Sequence, residues 1–228
     1  MTITLADLRG QCRVFLTSET IWPSETLTAF INDAIRAYSN EKPRRLRHSL
    51  ALITGTQAYD LPRGRGFMRL LAVEYRAGDH PPIYLAQVEE WDPSFGGAGQ
   101  VYALRAAADD IDADDDSVLA SIIFAEPVST GETAVLTYEA VHDAVSDDND
   151  VLTVPEAHME AIIAFVDFRA YWEAESDKTY SAASTSLILS QSGENGRRAW
   201  NHWREVMGRL GPVGGWRPKN QDWGETGL

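Results

Sequence analysis

The chain has 228 residues, of which 44% are hydrophobic and 24% are charged, a composition typical of a globular protein that buries a sizeable core. Its single cysteine, Cys12, excludes a disulfide framework and every metal site that needs several thiolates. The formal net charge is −14, and residues 101–150 hold one basic against thirteen acidic residues, so we expect this stretch to repel nucleic acid.

Helical periodicity dominates the first forty residues. A first helix is predicted to be capped by Thr4 and to end near Thr17, and a second to begin after Pro23 with Ser24 as its cap. The apolar positions that define the two helices are Leu5, Leu8, Cys12, Phe15, Leu16, Leu27, Phe30, Ile31, Ala34, Ile35 and Tyr38. One side of this helical hairpin is apolar, so it needs further helices to cover it.

The middle of the chain is instead made of short segments rich in β-branched and aromatic residues, separated by Gly, Pro and Asp clusters. This pattern is typical of a small antiparallel β unit with hairpin connections. The predicted strands cover residues 50–53, 68–75, 83–85, 101–104, 118–124 and 134–141.

Helical periodicity returns at Pro155, which suits a first helical position. The third helix is apolar around most of its circumference, so we expect part of the burial of Phe165, Val166 and Trp172 to occur between subunits. A last helix runs to about Leu210.

These elements predict an α+β fold in which a helical bundle from both chain ends carries an inserted antiparallel β domain. The expected bundle comprises residues 1–45 and 153–210, the β domain residues 46–152, and an extended C-terminal arm residues 211–228.

The sequence contains no completed motif for catalysis or metal binding. The Asp-rich residues 109–116 lack the Gly and the Glu of a calcium loop, so a solvated, metal-free loop is expected, and residues 147–150 are interpreted as a plain loop. Cys12 lies on an apolar helix face, and residues 62–67 do not complete a phosphate loop, so a turn is expected there. The histidines are expected at surfaces or interfaces; they are His48, His80, His142, His158 and His202. No catalytic residue, cofactor or metal is predicted.

Two segments are candidate partner-binding sites. Residues 211–228 have no helical or strand period but carry Trp216 and Trp223 with Arg217 and Lys219, so we expect a docking arm that orders on a partner, with a frayed terminus as the alternative. The basic cluster that includes Arg44, Arg45 and Arg47 is too short for a nucleic-acid domain and is interpreted as an interface or hinge surface.

Over about 150 residues, the order of these segments resembles the head-to-tail adaptor (connector) proteins of tailed bacteriophages. The segments that carry the resemblance are 22–23 (WP), 29–38 (AFINDAIRAY), 59–62 (YDLP), 71–75 (LAVEY), 126–128 (EPV), 136–140 (LTYEA) and 154–156 (VPE). Residues 109–116 and 178–196 do not match that pattern.

The resemblance implies a structural protein of the virion neck, assembled in the bacterial cytoplasm, without catalysis. It implies a homo-oligomeric ring, a dodecamer, beneath the portal protein. This ring would contact downstream tail or neck proteins, and genomic DNA would pass through it without specific binding. No signal peptide and no apolar run of about 20 residues is present, so no membrane contact is expected. Two alternatives remain: a cell-wall hydrolase with a carboxylate pair, and a calcium-dependent binding module on the Asp-rich loop.

Overall fold

The computed structural model describes residues 2–16, 22–62, 66–96, 100–106, 119–125, 131–176 and 186–210. The chain divides into two compact units: a helical unit whose described part lies within residues 1–43 and 142–215, and a β unit whose described part lies within residues 44–141. The arm of residues 211–228, with Trp216, Arg217, Lys219 and Trp223, and the Asp-rich residues 109–116 lie outside the described residues.

The helical unit contains α1 (Leu5–Leu16), α2 (Ser24–Glu41), a 3₁₀ turn (Glu156–His158), α3 (Met159–Ser176) and α4 (Ser186–Arg209). Helix α3 packs against each of the other three helices, and against α4 most extensively. The core of the helical unit includes apolar positions that the periodicity of α1 and α2 predicts, such as Leu8 and Ile31. Ile162 and Val166 of α3 and Trp203 of α4 also belong to this core. The predicted amphipathic faces therefore form one helical core.

The two helix starts differ from each other. Thr4 caps α1 as expected, because its hydroxyl accepts a hydrogen bond from the Asp7 amide (3.2 Å) while the Asp7 carboxylate accepts one from the Thr4 amide (3.1 Å). The prediction that Ser24 caps α2 is wrong. Helix α2 begins at Ser24 itself, with Pro23 as the capping residue, and the Ser24 hydroxyl accepts a hydrogen bond from Arg13 (2.8 Å).

The β unit contains two four-stranded sheets, with strand orders β1-β8-β3-β4 and β2-β7-β6-β5. They share one core, in which Val73 and Leu136 of the first sheet lie with Tyr102 and Ile122 of the second. The strands are β1 (Arg44–Ala51), β2 (Ala58–Asp60), β3 (Phe67–Tyr75), β4 (Ile83–Tyr84), β5 (Ala86–Gln87), β6 (Val101–Ala106), β7 (Leu119–Phe124) and β8 (Thr133–Ala140), with a 3₁₀ turn at Pro93–Gly96.

Two expectations about the strands need correction. The β unit is not wholly antiparallel, because β5 pairs parallel to β6. The first strand begins at Arg44 rather than near residue 50, so the basic cluster is part of a strand. Its odd-numbered residues are exposed and its even-numbered residues are half-buried, the two-residue alternation of a strand with one solvent-facing side.

Candidate assembly surfaces

A ladder of five aromatic rings runs across α3 and α4. Trp200 stacks on Trp203 with a 4.8 Å separation of ring centroids, and Phe168 lies 4.9 Å from Trp200 and 6.0 Å from Trp172. Phe165 completes the ladder, 5.5 Å from Trp203. Rings at these separations attract one another beyond the area that they bury, so these contacts stabilise the packing of α3 against α4.

The ladder passes from the core to solvent. Trp203 is buried, Trp200 is 36% exposed and Trp172 is 55% exposed. More than half of Trp172 is thus open to solvent in the single chain, whereas Val166, on the other side of α3, is fully buried. Burial of Trp172 between subunits stays a prediction. We call Phe168, Trp172 and Trp200 the aromatic face, since exposed tryptophan clusters on a soluble protein mark contact surfaces.

Basic residues of α4 border this face. Arg197 and Arg204 are exposed and lie three residues before and four residues after Trp200, so both share its side of the helix. Arg198 is held by Glu194 at 2.5 Å and Arg209 by Glu160 at 2.9 Å. Arg204 thus places an exposed positive charge at the rim of the aromatic face.

The arginines that the sequence singled out on β1 are split between the two faces of the strand. Arg45 and Arg47 belong to the exposed alternation, whereas Arg44 faces the other side. Arg47 pairs with Glu74 of β3 at 3.0 Å, and Arg45 lies 3.9 Å from Glu139 of β8. Two of the three predicted residues are thus on one sheet face, already paired with carboxylates of their own chain.

Glu139 is the residue of this face that sequence reasoning missed. It lies opposite Arg45 of β1 and Arg69 of β3, and its buried carboxylate accepts a 2.5 Å hydrogen bond from Arg69, whose pKa that bond raises. A lone glutamate inside the apolar strand segment LTYEA was the available signal, because a buried carboxylate needs a cationic partner.

One histidine departs from its expected surface position. His142 is buried, its Nε2 lies 3.1 Å from the Lys42 carbonyl oxygen, and its Nδ1 lies 3.1 Å from the Thr153 hydroxyl. Its amide donates to the Ser39 hydroxyl (2.9 Å). Because these partners occupy both ring nitrogens, His142 ties α2 to the segment before α3 and has no free nitrogen for catalysis.

The groups with the most strongly shifted pKa values lie between α1 and α3. Burial raises the pKa of the Cys12 thiol to about 12, with a further contribution from Asp167, so the thiol stays protonated and is not a nucleophile. Burial also raises the pKa of Asp167 to about 7, and its Oδ1 has no hydrogen-bond partner within the described ranges. This carboxyl group is a buried group of the bundle, flanked by Cys12 and Tyr171.

The described part of the chain holds no group of three or more His, Cys, Asp or Glu side chains able to bind a metal ion. Residues 147–150 form a turn, as expected, in which the Asp150 carboxylate accepts hydrogen bonds from the amides of Ser146 (2.7 Å) and Asp147 (2.9 Å). Among the helices described, none combines the length and hydropathy that a membrane crossing requires.

The described residues thus offer two candidate contact surfaces, the aromatic face and the exposed face of β1. No curated protein matches the chain. The model of the SU10 adaptor protein family matches residues 3–205, a range that includes residues of both units, and it confirms the resemblance to phage head-to-tail adaptors. The chain therefore belongs to the SU10 adaptor protein family, a family of structural bacteriophage proteins.

Proposed function

We propose that this protein is a head-to-tail adaptor that forms a ring beneath the portal of a tailed phage and joins the capsid to the tail. The observation that carries the proposal is the aromatic face, because a monomer gains nothing from leaving Trp172 and Trp200 in water. Family membership supplies the setting, the virion neck. A ring of twelve 25.3 kDa chains would have a mass of about 300 kDa.

The charge of the chain fits a DNA channel. A net charge of −14 repeated around a ring would repel the phosphate backbone, and such a channel lets DNA slide without being held. Genomic DNA would then pass through the ring without specific contacts.

Contacts with the portal and with tail proteins are assigned to two surfaces. The first is the arm of residues 211–228, whose Trp216 and Trp223 would fill pockets of a neighbouring ring while Arg217 and Lys219 meet acidic groups. The second is the β1 face, where the side chain of Arg47 is largely exposed in spite of its pairing with Glu74.

The test is native mass spectrometry of the purified chain, alone and after co-expression with the portal protein of the same phage. The expected result is a ring of one defined stoichiometry that binds the portal. A second preparation that lacks residues 211–228 should form the same ring and lose the portal. A chain that stays monomeric at about 100 µM and with the portal present would refute the adaptor function.

A further inference from the structure

A closed ring requires two different surfaces on each copy, one that docks and one that receives. The aromatic face can be only one of them. Among the described residues of the helical unit, two large apolar side chains outside that face are exposed, namely Val14, at 74%, and Val151. Val14 lies on α1 and Val151 lies next to its start, so α1 is the candidate for the receiving surface.

Val14 ends a row of exposed residues on α1. Ala6, Gly10 and Val14 are spaced by four residues, so they lie on one side of the helix. Among the described residues, no atom beyond the neighbouring backbone of α1 lies within 4 Å of the position that a Gly10 Cβ would take. Val151 adjoins the start of α1, since it pairs with Thr4 in an isolated β-bridge. We call these four residues, Ala6, Gly10, Val14 and Val151, the α1 surface.

The charge around the α1 surface is opposite to the charge around the aromatic face. The turn of residues 147–150 is attached to the start of α1, because the amides of Leu5 and Ala6 donate to the carbonyl oxygens of Asp150 (3.0 Å) and Asp148 (3.2 Å). Asp7 and Asp147 are exposed there, and Asp148 is exposed but paired with Arg9 of the same chain, whereas the exposed Arg204 borders Trp200 on α4. Opposite charges at the rims of two surfaces steer and orient their association.

We propose that the aromatic face of one copy docks on the α1 surface of the next copy. Trp172 and Trp200 then cover Val14, and Arg204 of α4 faces the acidic turn of residues 147–150. This inference rests on the proposed ring and names the surfaces that form it. Pairing of two aromatic faces would instead bring Arg204 of each copy together and would close at two copies, so it cannot build a ring.

Cysteine cross-linking tests the pairing of the two surfaces. Val14→Cys and Arg204→Cys are prepared separately, mixed, and treated with a short bismaleimide; both positions are exposed, and the native Cys12 is buried with a pKa of about 12. The expected result is a cross-linked dimer in the mixture and in neither single preparation, and a ladder of higher species from the double variant. Adding Trp200→Ala to the double variant should lower the yield at least tenfold.

The control outcomes separate this inference from the ring itself. A dimer in Arg204→Cys alone means that two aromatic faces meet, and it overturns the inference. A ring that native mass spectrometry detects but that gives no cross-link in the mixture overturns the inference and leaves the adaptor function standing. Absence of any assembly overturns both. If Arg204→Cys does not fold by circular dichroism, Asn201→Cys, an exposed position next to Trp200, takes its place with the same expected result.

Discussion

Replacing Trp172 by alanine should lower both the stability of a single copy and the affinity between copies, and the two effects can be measured separately. A tryptophan side chain offers about 150–250 Å² of surface. Trp172 is 55% exposed, so about 70–110 Å² is covered within the chain and about 80–140 Å² is open to a partner. At about 25 cal/mol per Å², the covered part contributes about 2–3 kcal/mol to the free energy of unfolding of the monomer.

The open part sets the effect on assembly. Covering about 80–140 Å² stabilises each contact between copies by about 2–3.5 kcal/mol, so Trp172→Ala should weaken that contact about 30- to 300-fold. Urea unfolding at low concentration measures the first quantity, and native mass spectrometry over a concentration series measures the second.

Trp91 provides the matched control, because it is 82% exposed and lies in the β unit outside the aromatic ladder. Trp91→Ala removes the same atoms, should cost the monomer about 1 kcal/mol or less, and should leave assembly unchanged. The reasoning is refuted if Trp172→Ala assembles as well as the wild-type chain, or if Trp91→Ala weakens assembly as much as Trp172→Ala does.

Three further substitutions test what stabilises the folded chain. Because burial raises the pKa of Asp167 from its usual 3.8 to about 7, the folded chain holds this proton more tightly than the unfolded chain, and the free energy of unfolding falls as pH rises from about 4 to 7. Urea melts should therefore show Asp167→Asn more stable than wild type at pH 8 by up to about 4 kcal/mol, and indistinguishable near pH 3.5. Glu139→Gln weakens the pairing with Arg69, which is 70% exposed, so a thermal melt should show a loss of about 1 kcal/mol that shrinks in high salt. Gly66→Ala places a Cβ 2.1 Å from Val141 at a φ of +60°, and chemical denaturation should show a loss of about 1–3 kcal/mol.

The long helices could be predicted from the sequence because a helix that covers a core shows its buried side as a period. All six apolar positions assigned to one side of α2 are buried, and Cys12 lies in the core as its spacing indicates. The strands rich in β-branched residues were predicted for the same reason. Local patterns suffice where one side of an element is buried within the same chain.

The remainder depended on pairing that no local pattern records. β5 has only two residues, too few for a local pattern to predict a strand or its parallel pairing with β6. The charges of β1 were interpreted as an interface or hinge surface rather than as part of a strand. α3 is apolar around most of its circumference, so its sequence could not indicate whether Trp172 faces a helix of its own chain or a neighbour.

The two groups of candidate contact surfaces belong to different compact units of the chain, which divides at 43/44 and 141/142. The core of the helical unit and the core of the β unit are separate clusters that share no residue. The aromatic face and the α1 surface belong to the first unit, and the arginines of β1 belong to the second. Effects of substitutions without shared partners usually add, so under the proposed function a change at Trp172 tests ring formation and a change at Arg47 tests partner contact. The proposed ring contact uses only the helical unit, so it predicts that substitutions on the β unit leave ring formation unchanged.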